Sequence, residues 1–349
     1  MRNINVRHIE PNHYRYCSLE VAVYNKRFKR NKNSWLRFAA LHIIANHFCP
    51  IKRGVRPTSG LSMDDIQIML SKIQSEREAK ITEHKKHLES DDYQGALRLL
   101  EVVTFDFIKG MKSCSIYCSR GVDFRDNSLS LSHIDDYFMS AIMILTMLRE
   151  GGINPAKREM RYLIDSSMRY LFVDQQLWRG KLNEKVVYFN KKIDKSNIKY
   201  INDIDLHMID DQGLKKSFCS EYTQAYYKAC EYVHASTRQI EERFSLYEQG
   251  ITIGLELAEQ LQEVAELLSE VYSTLLVFTF HASGVSTVGA LMVDTLSPQN
   301  DWVYNGNKYI AEIDRHFDYK HERKEVLQEL EKMRAERAWP NKALQRTSR

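Results

Sequence analysis

The chain has 349 residues, 43% of them hydrophobic and 28% charged, with only 6 prolines and 14 glycines. That composition excludes collagen-like and disordered chains, and the scarcity of turn formers favours long helices over the frequent reversals of a β-sandwich. Net charge is only +4, but residues 1–60 hold twelve Lys/Arg against two acids, Glu10 and Glu20, leaving 38 bases against 44 acids elsewhere.

The polar, basic start from Met1 to His13 lacks the apolar core of an export signal. The most apolar stretch, 267–293, is interrupted by Glu270, His281, Gly284 and Gly289, short of a membrane span. Six cysteines (17, 49, 114, 118, 219 and 230) show no framework spacing. Together these features predict a cytoplasmic protein with reduced thiols.

In chain order, Leu19–Tyr24 could form a short strand and Ser34–Phe48 a short amphipathic helix. Ser62 followed by Asp65 resembles a capping box opening a charged helix to about residue 89. Tyr93–Met111 follows almost at once, burying Leu97, Leu100, Val103 and Phe107, so the two read as an antiparallel hairpin. A second short strand could cover Ser115–Val122, and Ser119–Leu131 reads as a loop. Ser132 should cap an apolar helix to Arg149. Gly151, Gly152 and Pro155 then end it and start another, to about Leu177. Further helices are predicted at 180–194, 213–234, 237–248 and 252–282, with a last, charged one over 307–335.

The 252–282 segment carries Leu257, Leu261, Val264, Leu268, Val271, Leu275, Phe278 and Ala282 at alternating steps of four and three, a heptad seam. Glu256, Glu259, Glu263, Glu266 and Glu270 repeat on an adjacent face. This helix should sit at the centre of the bundle or form a homodimer contact. The fold class is therefore all-α: a multi-helix bundle of long antiparallel helices behind a basic N-terminal segment. Three parts are expected: residues 1–60, a bundle over 61–338 that the 119–131 loop could divide, and a disordered tail over 339–349.

The basic N-terminus interleaves its cations with Tyr14, Tyr16, Tyr24, Phe28, Trp35 and Phe38. Cations that neutralise phosphates beside rings that stack on bases suit RNA or single-stranded DNA. Lys26, Arg27, Lys29, Arg30 and Lys32 would carry that contact. The alternative is a basic face docking on the protein's own acidic surface.

Nucleotide-binding glycine loops and the Gly-x-Ser-x-Gly elbow are missing from the sequence. No cofactor is expected. No di-iron centre is expected, and the Glu-x-x-His at Glu10/His13 spans Pro11. Cys114 and Cys118 share a helix face but lack a second pair for zinc. Asp203, Asp205 and His207 would project from one side of an extended segment, yet an acidic loop before a helix explains the run as well. No metal is expected.

An Arg, then four to six intervening residues, then His resembles the signature of the metal-independent helical HEPN ribonucleases. Arg315/His321 fits, as do Arg2/His8, Arg7/His13, Arg37/His42 and Arg77/His84, in a chain with 25 arginines and 12 histidines. The spacing alone selects none of them. On a straight helix Arg315 and His321 would diverge by about 120°.

The stretch Arg158-Glu-Met-Arg161-Tyr-Leu-Ile-Asp165-Ser-Ser-Met-Arg169, followed by Tyr222, Tyr226, Cys230 and His234-Ala-Ser236, resembles a broad family of uncharacterised helical bacterial proteins. In them an Arg-x-x-Leu-acid-Ser helix faces one ending in a Val-His-Pro-Ser-like turn. Here Ala235 replaces the usual proline and Asp165 the usual glutamate. The resemblance covers about 80 residues and implies a pocket lined by Arg161, Asp165, Arg169, Tyr222, Tyr226 and His234. Independently of it, Arg161, Asp165 and Arg169 step by four along one face, and two arginines flanking a carboxylate suit a phosphate or carboxylate ligand. His234 could serve as an acid or base, or equally as a helix-end cation.

The tail from Pro340 to Ser348 resembles read-through into an integron cassette recombination site. It implies cargo of a mobile cassette, of stress- or phage-defence type, acting through nucleic acid or a protein partner. A ribonuclease effector and a non-catalytic helical interaction module are the alternatives.

Overall fold

The structure, a computed structural model, describes residues 63–193, 198–230, 240–241, 244, 257–298 and 301–336. The candidate nucleic-acid contacts Lys26, Arg27, Lys29, Arg30 and Lys32, His234 and the tail from Trp339 lie outside these residues. The helical bundle is as predicted, and no strand occurs among the described residues. No helix among them is long and apolar enough to cross a membrane.

The chain divides into residues 1–82 and 83–349, and 119–131 falls within the second unit. Helix α1 (Met63–Leu88) begins in the first unit. There it is a polar helix braced by its own turns, Gln74 donating to Glu78 and the Thr82 hydroxyl to the Glu78 carbonyl.

The second unit opens on the end of α1. Ser90 then caps α2 (Asp91–Cys118), its hydroxyl accepting from the Tyr93 N–H. This helix runs through Ser115–Cys118, so no strand forms there. The expected loop that follows folds instead as two short helices, α3 (Val122–Asp126) and α4 (Leu129–Ser132).

A distant carboxylate explains why that polar segment winds up. Asp174 Oδ1 accepts from the Leu129 N–H and Lys185 Nζ, both at 2.9 Å, and Oδ2 accepts from Ser128 Oγ at 2.8 Å and the Ser130 N–H at 2.9 Å. Buried Asp174 thus satisfies the first amides of α4, which local sequence could not reveal. Ser132 does not cap the next helix; its hydroxyl bonds back to Leu129, and α5 (Ile134–Arg149) starts after His133. Helix α6 (Ile153–Gln176) follows Gly151, whose φ of 75° suits the glycine the reversal requires. Helix α7 (Leu182–Lys192) supplies Lys185.

Helix α8 (Gln212–Cys230) leads towards α9 (Ala258–Ser283), the axis of the unit. α9 packs most extensively on α2 and then on α6. Every seam residue from Leu261 to Ala282 is buried, whereas Leu257 is 40% exposed. From Val271 to Ser283 every residue is buried, and Phe107 of α2 stacks on Tyr272 with centroids 4.1 Å apart. Full burial of each Leu or Phe contributes about 1.5–3 kcal/mol, so the seam stabilises this chain from within. The seam packs on the chain's own α2 and α6.

The predicted 307–335 helix is broken. α10 (Val285–Leu291) and a π-turn lead through Trp302 to α11 (Lys308–Arg315), then after a turn to α12 (Leu327–Glu336). The break is held by charge. Arg323 and Arg334 both bridge Asp314 and Asp318, a largely buried four-group cluster. A strap before α11 hangs on α2: Trp302 Nε1 donates to the Asp106 carbonyl, the Val303 N–H to the Asp106 carboxylate, and Tyr304 Oη to the Val103 carbonyl. A side chain at Gly110 would meet Leu276 at 2.9 Å and Trp302 at 3.0 Å, so this close approach requires glycine.

Candidate functional site

Five of the six predicted pocket residues meet across the α6–α8 interface. The four-residue rhythm of Tyr222, Tyr226 and Cys230 turns one stripe of α8 towards α6, as its spacing predicts. Arg161 Nε donates to Cys230 Sγ at 3.0 Å and Nη2 to Tyr226 Oη at 3.1 Å, with the guanidinium 5.3 Å from the Tyr226 ring. Tyr222 Oη donates to the Ile164 carbonyl at 3.1 Å.

Arg169 Nη2 lies 2.9 Å from Asp165 Oδ1, an ion pair poorly aligned as a hydrogen bond. Burial raises the Asp165 carboxyl above its usual range, opposed by Arg169 and Arg161. These groups address one another across two helices. Chemically, the arrangement is an interhelical clasp.

Arg315 is likewise engaged, donating to Glu312 at 2.6 Å and Glu331 at 3.2 Å. The helix ends at Arg315 and His321 opens a separate 3-10 turn, so the straight-helix divergence expected between them does not apply. The polar neighbour His316 faces Asp210 at 3.2 Å.

The Asp203–Asp211 run is not an extended ligand strand. The Asp205 N–H and carbonyl both bond the Gln175 amide, and the Met208 N–H donates to His281 Nε2. Among the described residues no cluster of three or more His, Cys, Asp or Glu could hold a metal ion. Cys114 and Cys118 are buried free thiols, the former 2.9 Å from Ser283 Oγ.

A cleft of about 480 Å³ opens elsewhere, between α8, α9 and the start of α11. Its floor is apolar: Leu99 and Val103 from α2, Phe218, Tyr222 and Ala225 from α8, and Ala265 from α9. Tyr222 is the one predicted pocket residue that borders it. Its rim is charged. Lys308 Nζ lies 2.6 Å from Glu221, while Lys228 Nζ stands 3.8 Å from Glu270. Burial alone would raise Glu221, but hydrogen bonds from Lys308, Tyr309 and Ser217 hold its carboxyl below the usual range. Glu270 moves the other way: desolvation raises it, Lys228 only partly opposes this, and Glu221 and Glu266 raise it further.

Two further polar residues border the cleft. Ser269 is 2% exposed. Asn307 is 8% exposed and caps α11 through Oδ1, accepting from the Tyr309 and Ile310 N–H groups. That capping fixes which atom is oxygen and leaves Nδ2 as the donor end of the amide. A second, more open cleft is bordered by Lys215, Lys216, Cys219 and Thr223.

Sequence reasoning missed this cleft, although one signal for it was visible. The glutamate repeat on α9 marks its exposed face, yet nothing local says that α8 and the distant 307–309 segment stand opposite. Comparison with protein-family models, with curated proteins and with solved structures finds no match to this chain.

Proposed function

We propose that the chain is a cytoplasmic, non-catalytic helical binding module whose working surface is the α8–α9–α11 cleft. The observation that carries this reading is a concavity with an apolar floor beneath a rim of charged and polar side chains, Glu221, Lys228, Glu266, Ser269, Glu270 and Asn307. A largely apolar concavity with a few convergent polar groups is the usual form of a small-molecule site. A ribonuclease centre has less support, since Arg315 already pairs with two glutamates. The cassette-like tail supports a defence-type setting.

The test is a cellular phenotype, phage plating or growth arrest, in point variants that stay folded. Ser269→Leu and Glu266→Lys should abolish it; Arg315→Ala and His321→Ala should not. Loss in His321→Ala alone would put the ribonuclease reading in its place.

The excess of ten positive charges in residues 1–60 favours a second contact, with single-stranded nucleic acid. Affinity for single-stranded RNA should then fall steeply with added salt and vanish when Lys26, Arg27, Lys29 and Arg30 become Glu. Salt-independent or undetectable binding would remove it.

A further inference from the structure

The chemistry of the same cleft narrows its ligand. Carboxylates outnumber cations on the rim: Glu221, Glu266 and Glu270 against Lys228 and Lys308. Lys308 is committed to Glu221, an ion pair that Ser217 and Tyr309 reinforce. Lys228 reaches Glu270 only at 3.8 Å, beyond hydrogen-bond length. Two carboxylates on successive turns of α9, Glu266 and Glu270, therefore face the cleft, with one cation, Lys228, loosely placed at Glu270. Below them lie the rings of Phe218 and Tyr222 and the small side chains of Ala225 and Ala265. The small side chains leave room that larger ones would fill.

We infer that the cleft takes an organic cation, an ammonium or guanidinium group carried on an apolar body. The charge sits at Glu266 and Glu270, and the body lies against Phe218, Tyr222 and Ala225. This rests on the binding reading above and adds the ligand class to it. The cation replaces the Lys228 ammonium at Glu270 and relieves the repulsion between neighbouring carboxylates. Ser269 Oγ accepts a further N–H, since a hydroxyl can act in either direction. Asn307 Nδ2 meets an acceptor on the ligand body where one is present. An anionic ligand of the same shape would instead bring a third like charge beside Glu266 and Glu270. Lys228 is then an internal competitor, holding the place until the ligand arrives.

Isothermal titration of the full chain with a matched pair, tryptamine and indole-3-acetate, tests the inference. The two share a ring system and differ in the sign of the end group. Tryptamine should bind at least tenfold more tightly than indole-3-acetate. Glu270→Gln should weaken tryptamine about tenfold, the loss of one charge-assisted hydrogen bond. Lys228→Met should tighten it by removing the competitor. Both positions are about half exposed, so these variants are expected to fold. Preference for indole-3-acetate would overturn the cation and leave the cleft as a binding site. Tryptamine binding indifferent to Glu270→Gln would overturn the assignment to this rim. Silence from both probes would overturn the inference, while the Ser269→Leu phenotype separately judges the binding reading.

Discussion

The α6–α8 interface and the α8–α9–α11 cleft use neighbouring faces of the same helix, with Tyr222 at their shared edge. On one face Arg161, Tyr226 and Cys230 answer one another, and Asp165 has Arg169. On the other, Lys228 holds Glu270 only at 3.8 Å, and Ser269 and Asn307 border an open cleft. Suggestive residue types are thus a poor guide by themselves. A polar group whose partners lie inside the fold holds the fold. One held loosely beside an open cleft is available to something else. Asp174 is the extreme of the first kind, a buried carboxylate with four donors.

The sharpest way to break this contrast is at Asp174. Asp174→Ala leaves the Lys185 ammonium buried and two amides of α4 unpaired, so chemical denaturation should show a loss of about 3–5 kcal/mol. A loss below 1 kcal/mol would mean the cluster is not the closed unit described.

His281 extends the test to pH. Its Nδ1–H donates to the Val277 carbonyl and its Nε2 accepts from Met208, while burial lowers its pKa to about 3. The folded ring stays neutral below the unfolded pKa of about 6.5, where the unfolded chain takes up a proton. Stability should therefore fall as pH drops from about 6.5 towards 3, by up to about 1.4 kcal/mol per pH unit from this residue. In His281→Gln, denaturation curves across that range should show a shallower pH dependence. An unchanged slope would count against the ring being held neutral.

Arg161→Met should cost about 1–2 kcal/mol of stability, from one cation–π contact and two hydrogen bonds, with the cellular phenotype retained. A phenotype lost at unchanged stability would make the clasp a working site. The smallest effect has the most diagnostic sign. Because desolvation disfavours the Glu270 carboxylate, Glu270→Gln should raise the melting temperature slightly, by about 1 °C, although it weakens ligand. A structural carboxylate would do the reverse.

The helical class and the central helix were legible, because each follows from spacing along one helix; the facing of α6 and α8 was implied by the family resemblance instead. Leu261 to Ala282 needed only their own period to announce burial. The misses share a physical cause. The 119–131 segment looks like a loop until Asp174, 45 residues from Leu129, supplies its helix cap. The 307–335 helix looks continuous until Arg323 and Arg334 fold it around Asp314. The cleft depends on Ser269 and Asn307 meeting across the bundle. A sequence shows which groups could pair, and long-range packing decides which of them do.

The strap from Trp302 to Gly306 leads straight into Asn307, and it hangs on α2 where Gly110 lets Trp302 and Leu276 come close. The width of the cleft is therefore adjustable from a residue that does not border it. A methyl group at Gly110 would push against Trp302, and the strap would carry the displacement to Asn307 and Lys308. Such a change would register in a titration as a weaker site while every lining residue stayed the same. A ligand that draws Asn307 inward would, by the same connection, press Trp302 onto Gly110, making the indole a built-in fluorescent reporter of occupancy.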